Sequence, residues 1–408
     1  MNRLRMIPVL LATLIMGACG TQGSEESAGS GATQSEKDHG AMEASGPEPR
    51  LAVTYDGGVL VLRAADGKVL LDAPREGFLR VSPAGDERHV FLSTSSGFEA
   101  LDLGSWSHEH GDHSHSWTGE PHLTGTVFEA EEPGHVVSHD GRTVLFDDGT
   151  GSWTSFDPQD LADGTPQSDT GAADEPHHGV AVQFANGNVI HTVGTVDTRS
   201  GIRVETAAGH ELATSAECPG VHGEVALGDV VVFGCEDGAL VVDGRTITKA
   251  HSPDDFGRIG NQAASEESPI VLGDYKTDPE AEVERPTRVA LVDSRTAKIR
   301  LVDVEASYTF RSLARGPEGE GLVLGTDGNL RVLDVDRGRV TDTIRVTDAW
   351  REPADWQQPR PSIDVTGSMA YVTEPSSSTV HVVDLDAGAV TDSFELPVVP
   401  NELVASAG

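Results

Sequence analysis

One short segment of this chain concentrates the residue type best suited to binding transition metals. The stretch 105-SWSHEHGDHSHSW-117 holds a quarter of the chain's 16 histidines: His108, His110, His113 and His115. Neutral imidazole is a good ligand for Zn²⁺, and a glycine between the two pairs lets an extended backbone bend. The segment therefore predicts a loop that wraps one metal ion with two or three imidazoles.

Three further histidines occur in related phrases, 133-PGHVVSHDG-141, 176-PHHGVAVQF-184 and 219-PGVHGEVALG-228. Each phrase places one histidine at the start of a strand, and these are His135, His178 and His222. Three convergent imidazoles and a fourth donor make a tetrahedral zinc site. His177 is an alternative to His178. The sequence leaves open whether these histidines and the His-rich segment share one ion or hold two.

The elements that position these histidines are β-strands. From residue 49 onward, Val- and Leu-rich runs alternate with Gly, Asp and Pro turns, as in 321-GLVLGTDGNLRVLDVDRGRVTDTIRV-346. Similar phrases recur about every 45 residues, the period of a four-stranded propeller blade. The pattern predicts an all-β propeller over residues 49–408, with eight blades or, because 251–310 is irregular, seven.

The two ends of this repeat region are complementary. The N-terminal repeat begins at its second strand, and 400-PNELVASAG-408 is a spare strand without a blade. We expect this C-terminal strand to become the innermost strand of the first blade and to close the ring.

The N-terminus indicates export. Residues 1–19 have the features of a lipoprotein signal peptide: a cationic start, the apolar run 6-MIPVLLATLIM-16 and the segment 16-MGAC-19. We expect cleavage and lipidation at Cys19. The alternative is a plain signal peptide. Residues 20–48 contain almost no large apolar side chain and predict a flexible tether. In an oxidising compartment the remaining pair, Cys218 and Cys235, predicts one disulfide.

The charge of the chain limits its partners. There are 66 acidic and 29 basic residues, which give a formal net charge of −37. Nucleic acids and anionic lipid surfaces require clusters of Lys and Arg, so both are disfavoured, and a cation or a basic partner suits this field better.

Five motifs of the chain carry a family resemblance: HGDHSH, GHVVSHDGRTVLFDDGTG, PHHGVAV, CPGVHGE and GCEDG. Through these motifs the chain resembles the AztD family of extracytoplasmic zinc metallochaperones. The resemblance implies a propeller that binds Zn²⁺ and passes it directly to the solute-binding protein of an ABC-type zinc importer. It also implies a specific ligand set: His110, His113, His115, His135, His178 and His222. Two departures are the lipid anchor and a tail whose only histidine is His39.

Together these observations predict a monomeric, non-enzymatic zinc carrier, attached to the membrane only through its lipid anchor. Two alternatives remain. A propeller hydrolase or lactonase would use a channel metal to activate water, with Glu224 as the base. A protein-binding propeller would carry its His-rich segment without a metal function.

Overall fold

The structure of this chain is a computed structural model that describes residues 40–111 and 113–408. The predicted signal peptide, Cys19, His39 and the rest of residues 20–39 lie outside the described residues. Across the described ranges, no helix is long and apolar enough to cross a membrane.

Eight four-stranded antiparallel sheets form the blades, and the strands of each blade are named from the innermost outward. Blade 1 contains β36 (Pro400–Ser406), β2 (Arg50–Tyr55), β3 (Gly58–Arg63) and β4 (Val69–Pro74). Blade 2 contains β5 (Arg80–Pro83), β6 (His89–Thr94), β7 (Gly97–Asp102) and β10 (His122–Glu129). Blade 3 contains β11 (Pro133–His139), β12 (Arg142–Asp147), β13 (Ser152–Phe156) and β14 (Ser168–Ala172), with a 3₁₀ helix at Pro158–Asp163. Blade 4 contains β15 (Ala181–Gln183), β16 (Val189–Gly194), β17 (Arg199–Glu205) and β18 (Glu211–Ser215).

The second half of the ring repeats this order. Blade 5 contains β19 (His222–Leu227), β20 (Val230–Cys235), β21 (Asp237–Asp243) and β22 (Thr246–His251), and β23 (Gly257–Arg258) pairs with β21 in parallel. Blade 6 contains β24 (Gln262–Ser265), β25 (Ser268–Gly273), β26 (Arg288–Asp293) and β27 (Lys298–Asp303). Blade 7 contains β28 (Leu313–Arg315), β29 (Gly321–Leu324), β30 (Asn329–Asp334) and β31 (Arg339–Arg345). Blade 8 contains β32 (Ile363–Thr366), β33 (Met369–Glu374), β34 (Thr379–Asp384) and β35 (Ala389–Glu395).

The chain is therefore a β-propeller with eight blades, the first of the two predicted counts. The C-terminal strand β36 pairs antiparallel with β2, as predicted, and it packs against β5 of blade 2 and β32 of blade 8. Pairing of β36 with β2 in one blade closes the ring and covers a strand edge that would otherwise be exposed.

Apolar layers between neighbouring blades form the core. Ile190 of blade 4 packs in one cluster with Phe233 of blade 5, and Leu60 of blade 1 packs with Val380 of blade 8. Each such buried side chain contributes about 1.5–3 kcal/mol to the free energy of folding, compared with the same side chain exposed to water.

Some turns require glycine. Gly328 lies in the turn between β29 and β30 and has a φ of +83°, and a side chain at this position would collide with the carbonyl oxygen of Thr347.

The antiparallel order gives the propeller two distinct ends. The innermost strands begin at one end of the propeller, which we call the histidine end. The loops between blades and the turns between second and third strands lie at this same end. The connection between third and fourth strands falls at the opposite end. In blade 2 this connection is a β-hairpin, β8 (Ser105–His110) and β9 (His113–Thr118), so we call that end the hairpin end.

The hairpin belongs to a separate three-stranded sheet. Its third strand, β1 (Met42–Ala44), pairs with β9 and lies inside the segment that the sequence predicts to be a tether. The hydroxyl of Ser107 donates to the carbonyl oxygen of Gly408 at 2.9 Å, which places the hairpin beside the segment that follows β36.

Candidate metal centre

Three consecutive blades bring three histidines together at the histidine end. His135 lies near the start of β11, His178 precedes β15, and His222 begins β19. Their ring centroids are 5.1–5.6 Å apart, and one nitrogen from each ring lies within 4.8 Å of the others. With Zn–N bonds of about 2.0–2.1 Å, tetrahedral ligand nitrogens are about 3.3 Å apart. Small side-chain rotations would bring this triad to that geometry.

Oxygen atoms orient the rings. His178 Nδ1 lies 2.5 Å from Asp148 Oδ2, and His222 Nδ1 lies 2.8 Å from the carbonyl oxygen of Gly260. An acceptor at Nδ1 holds the proton there and leaves the Nε2 lone pair available for a metal. His135 Nδ1 faces Glu224 Oε2 at 3.6 Å. His178 and His222 thus each have an oxygen within hydrogen-bond distance of Nδ1, and the Glu224 oxygen lies beyond that distance from His135.

His177, the sequence alternative to His178, is in a different environment. Its side chain is buried; its Nδ1 contacts the carbonyl oxygen of Glu175 at 2.9 Å and its Nε2 contacts Thr192 Oγ1 at 2.9 Å. Both nitrogens are occupied by the protein, so His177 is a core histidine and His178 is the residue that joins the triad.

Burial and nearby charge favour neutral imidazoles. Burial lowers the pKa of His135 well below its usual range, and the neighbouring His178 and His222 lower it further. Burial also lowers the pKa of His222 to about 3, against the opposing effect of the Gly260 carbonyl. Neutral imidazole is the form that binds zinc, so these two ligands need not lose a proton at neutral pH.

Glu224 is the carboxyl group closest to His135. Its side chain is 10 % exposed, and its Oε2 has no hydrogen-bond partner within the described part of the chain. Burial raises the pKa of this carboxyl to about 8, so it carries a proton at neutral pH.

The predicted disulfide supports the third ligand. Cys218 and Cys235 are bonded across a sequence separation of 17, and both are fully buried. The bridge ties the segment that enters His222 to the end of β20, the strand paired with β19. This arrangement limits the movement of His222 relative to its blade.

The His-rich segment lies at the other end of the propeller. The hairpin register places His108 opposite His115 and His110 opposite His113, with the turn at Gly111 (φ +68°). Trp106 and Trp117 stack at its base with ring centroids 6.2 Å apart. The hairpin and the triad are thus two separate places, the arrangement that the sequence left undecided.

Two hairpin nitrogens already point at one another. His113 Nε2 and His115 Nε2 are 3.0 Å apart, and His115 Nδ1 contacts Glu43 Oε1 at 2.9 Å. His110 ends β8, and the structure describes only its backbone. The side chains of His113 and His115 can therefore share an ion, with Glu43 orienting one of the rings.

Sequence reasoning missed Asp148, Gly260 and Glu43. Asp148 follows β12, and its turn lies beside the start of the next blade. In a propeller, the turn after the second strand of one blade adjoins the innermost strand of the next. The repeat therefore contained a signal for Asp148, whereas nothing in the tether predicted that Met42–Ala44 would pair with β9.

Comparisons with known proteins show similarity in both sequence and fold. No family model matches the chain. The zinc chaperone AztD of Citrobacter koseri is 26% identical over 369 residues, covering 86% of this chain and 84% of that protein. A crystal structure of Citrobacter koseri AztD matches with a TM-score of 0.79 at 25% identity, covering 89% of this chain and 98% of that one. The structure of apo AztD from the same organism gives 0.76 at 25% identity, with 88% and 98% covered.

Proposed function

We propose that this chain is a zinc metallochaperone that works outside the cytoplasmic membrane. It resembles the AztD family in both sequence and structure. It binds Zn²⁺ at His135, His178 and His222 and passes the ion directly to the solute-binding protein of an ABC-type zinc importer. The observation that carries the proposal is the convergence of three blade-start imidazoles, two of which have an oxygen within hydrogen-bond distance of Nδ1. Lipidation of Cys19 would hold the protein at the membrane.

Transfer requires a site that an acceptor can reach. The side chain of His178 is 41% exposed and that of His135 is 23% exposed, so the site opens at the histidine end. Three histidine ligands leave a fourth position on zinc for an entering group. An acceptor ligand takes this position, one imidazole leaves, and the exchange repeats until the ion has moved.

The hairpin histidines His110, His113 and His115 form a second zinc site in this proposal. Because they lie at the hairpin end, they do not complete the triad. We assign them to the capture of zinc from solution, and the triad to delivery.

Stopped-flow transfer to the importer's solute-binding protein tests the proposal. We expect zinc to leave this protein faster in the presence of the metal-free acceptor than with a chelator that reports only spontaneous release. The triple variant His135→Ala, His178→Ala, His222→Ala should fold and lose delivery. Transfer no faster than spontaneous release would make this protein a zinc store instead.

A metal-dependent hydrolase remains the second candidate, with Glu224 as the base. Burial raises the pKa of Glu224 to about 8, and a bound Zn²⁺ would lower it toward the range that suits a general base. Hydrolysis of esters or lactones that depends on both zinc and Glu224 would favour it over the chaperone.

A further inference from the structure

Guanidinium groups surround the triad on an otherwise acidic protein. Arg80 and Arg199 lie within electrostatic range of His135, and Arg199 and Arg258 lie within range of His222. The chain as a whole has a formal net charge of −37.

Carboxylates are present as well: Asp148 contacts His178, and both Asp148 and Glu236 lie within electrostatic range of Arg199. The binding site for a divalent cation thus has guanidinium groups beside it in addition to carboxylates.

Arg258 approaches His222 closely. Its guanidinium and the His222 ring both lie next to Gly260: a methyl group placed on Gly260 would be 3.6 Å from Cζ of Arg258 and 3.7 Å from Nδ1 of His222. Within the described ranges this guanidinium has an ion pair with Glu284, at 3.5 Å from Nη1 to Oε1. Part of the Arg258 guanidinium is thus available beside the metal ligand.

Arg199 is placed by the backbone that leads to the same ligand. Its carbonyl oxygen accepts a 2.8 Å hydrogen bond from the N–H of Gly220, two residues before His222. The side chain is half-buried, and among the described residues it has no hydrogen bond or ion pair. A guanidinium that is partly removed from water without a partner is unfavourable, and an arriving anion would relieve this cost.

Arg80 and Arg258 are each paired with a carboxylate: Arg80 Nε lies 3.4 Å from Oε1 of Glu402, and Arg258 Nη1 lies 3.5 Å from Oε1 of Glu284. Arg258 keeps its Nη2 beside Gly260, and Arg199 has no ion pair or hydrogen bond from its side chain among the described residues. Arg199 and this free face of Arg258 are the donors that an arriving anion would meet next to the triad.

We propose that Arg199 and Arg258 form an anion-receiving position beside the triad, which weakens equilibrium zinc binding and draws in a carboxylate of the acceptor protein as the entering zinc ligand. This inference rests on the proposed function. A carboxylate oxygen donates a lone pair to zinc, and one imidazole nitrogen leaves with its own lone pair. No proton or electron moves in this step. The two arginines neutralise the incoming carboxylate and repel the ion that is leaving.

The test compares two chelators of different charge. Nitrilotriacetate presents three carboxylates, whereas TPEN is neutral and binds zinc through nitrogen atoms. In the double variant Arg199→Gln, Arg258→Gln, we expect the affinity for zinc to rise about 3- to 10-fold, because two nearby positive charges are removed. The rate at which nitrilotriacetate extracts zinc should fall at least about tenfold more than the rate with TPEN.

Two control variants separate charge from structure. Arg199→Lys with Arg258→Lys keeps both charges and should retain most of the preference for nitrilotriacetate. Arg337→Gln removes one charge from an exposed turn at the hairpin end and should change neither affinity nor rates. Thermal unfolding of each variant reports whether the fold is kept.

Ionic strength gives a further measurement. Salt screens both the attraction to the two arginines and the repulsion of nitrilotriacetate by the net charge of −37, and the double Gln variant retains only the repulsion. Raising salt from about 20 mM to about 500 mM should therefore reduce the ratio of nitrilotriacetate extraction rates between the unmodified protein and the double Gln variant, and leave the same ratio for TPEN nearly unchanged.

Equal slowing with both chelators overturns the inference, and so does an unchanged zinc affinity in the double Gln variant. Tighter zinc binding with no preference between the chelators also overturns it, because the position would then hold a solvent anion permanently. These results leave the proposed function standing. If the triad binds no zinc in the unmodified protein, the proposed function itself has failed.

Discussion

The carboxylate of Asp148 holds the imidazole of His178 in place, with 2.5 Å between Oδ2 and Nδ1. Asp148 also accepts a 3.2 Å hydrogen bond from the N–H of Gly179 through its other oxygen, so one side chain fixes both the ring and the backbone beside it. The two residues come from neighbouring blades, and the zinc site therefore depends on the packing of blade 3 against blade 4.

Replacement Asp148→Asn should weaken zinc binding about 10- to 100-fold, the usual effect of removing a carboxylate that orients a metal-binding histidine. The amide can donate to Nδ1, which would move the ring proton to Nε2 and block the ligand atom. A competition titration with a zinc-sensitive dye measures the affinity. Asp169→Asn, which alters an exposed carboxylate paired with Arg142, is the matched control and should have no effect.

The adjacent histidines should separate stability from metal binding. His178→Ala should abolish tight zinc binding and leave the melting temperature of the metal-free protein nearly unchanged, because this side chain is 41% exposed. His177→Ala should lower the free energy of unfolding by about 1–3 kcal/mol, because Thr192 loses a buried hydrogen-bond partner. Calorimetric titration with zinc, alongside thermal unfolding, measures both. The assignment fails if the two variants exchange these phenotypes.

The hairpin should bind its own zinc ion. Native mass spectrometry of the protein with excess zinc is expected to show two ions, and His113→Ala combined with His115→Ala should remove one of them. Glu43→Gln should weaken this second ion, because the side chain orients His115. The triad should keep its affinity in these variants, since it lies at the other end of the propeller. Loss of both ions together would contradict two separate sites.

The disulfide should support both stability and zinc binding. A loop of this length contributes about 3 kcal/mol when closed, so Cys218→Ala with Cys235→Ala should lower the melting temperature by several degrees. Zinc affinity should fall as well, because the bridge restrains the segment before His222. Differential scanning calorimetry and the dye competition assay measure the two effects. Unchanged zinc affinity would show that β19 alone positions His222.

Stability should depend on pH through Asp364, which accepts a 2.8 Å hydrogen bond from the N–H of Ala405. Burial raises the pKa of this carboxyl from 3.8 to about 6. The folded protein therefore holds the proton more tightly than the unfolded chain. Its contribution to stability is complete below about pH 4 and is lost as the pH rises through about 6.

Urea denaturation at pH 4, 5, 6 and 7 measures this effect. The free energy of unfolding of the unmodified protein should fall across this range relative to Asp364→Asn, by about 1–2 kcal/mol after allowance for the partial exposure of the group. A constant difference between the two proteins at every pH would assign the shift to another residue.

Much of the fold was predictable because each blade of a propeller repeats the same sequence pattern. Val-rich strands and glycine turns recur with each blade, and a spare C-terminal strand has one place to pair. The blade-start histidines followed from the same period, since equivalent positions of successive blades meet at one end of the ring.

What the sequence could not provide was side-chain direction and contacts across long separations. His177 and His178 are consecutive, yet the first is buried against Thr192 and the second joins the triad. Both precede β15, so the alternation of side chains along a strand could not decide between them. The pairing of β1 with the hairpin depends on a short segment of low hydrophobicity, for which composition predicted no structure.

The position of β36 in blade 1 also affects the order in which this protein folds. Glu402 on β36 donates its N–H to Thr54 on β2, a pairing between residues 348 apart in the chain. Contacts between distant segments form slowly because a long loop must be closed before they contribute. Blade 1 lacks its innermost strand until β36 arrives, so the completion of blade 1 waits for a segment that is synthesised after every strand of blades 2 to 8. Until that moment, β2 presents an unpaired edge to other chains, and a chaperone that covers this edge would increase the yield of folded protein.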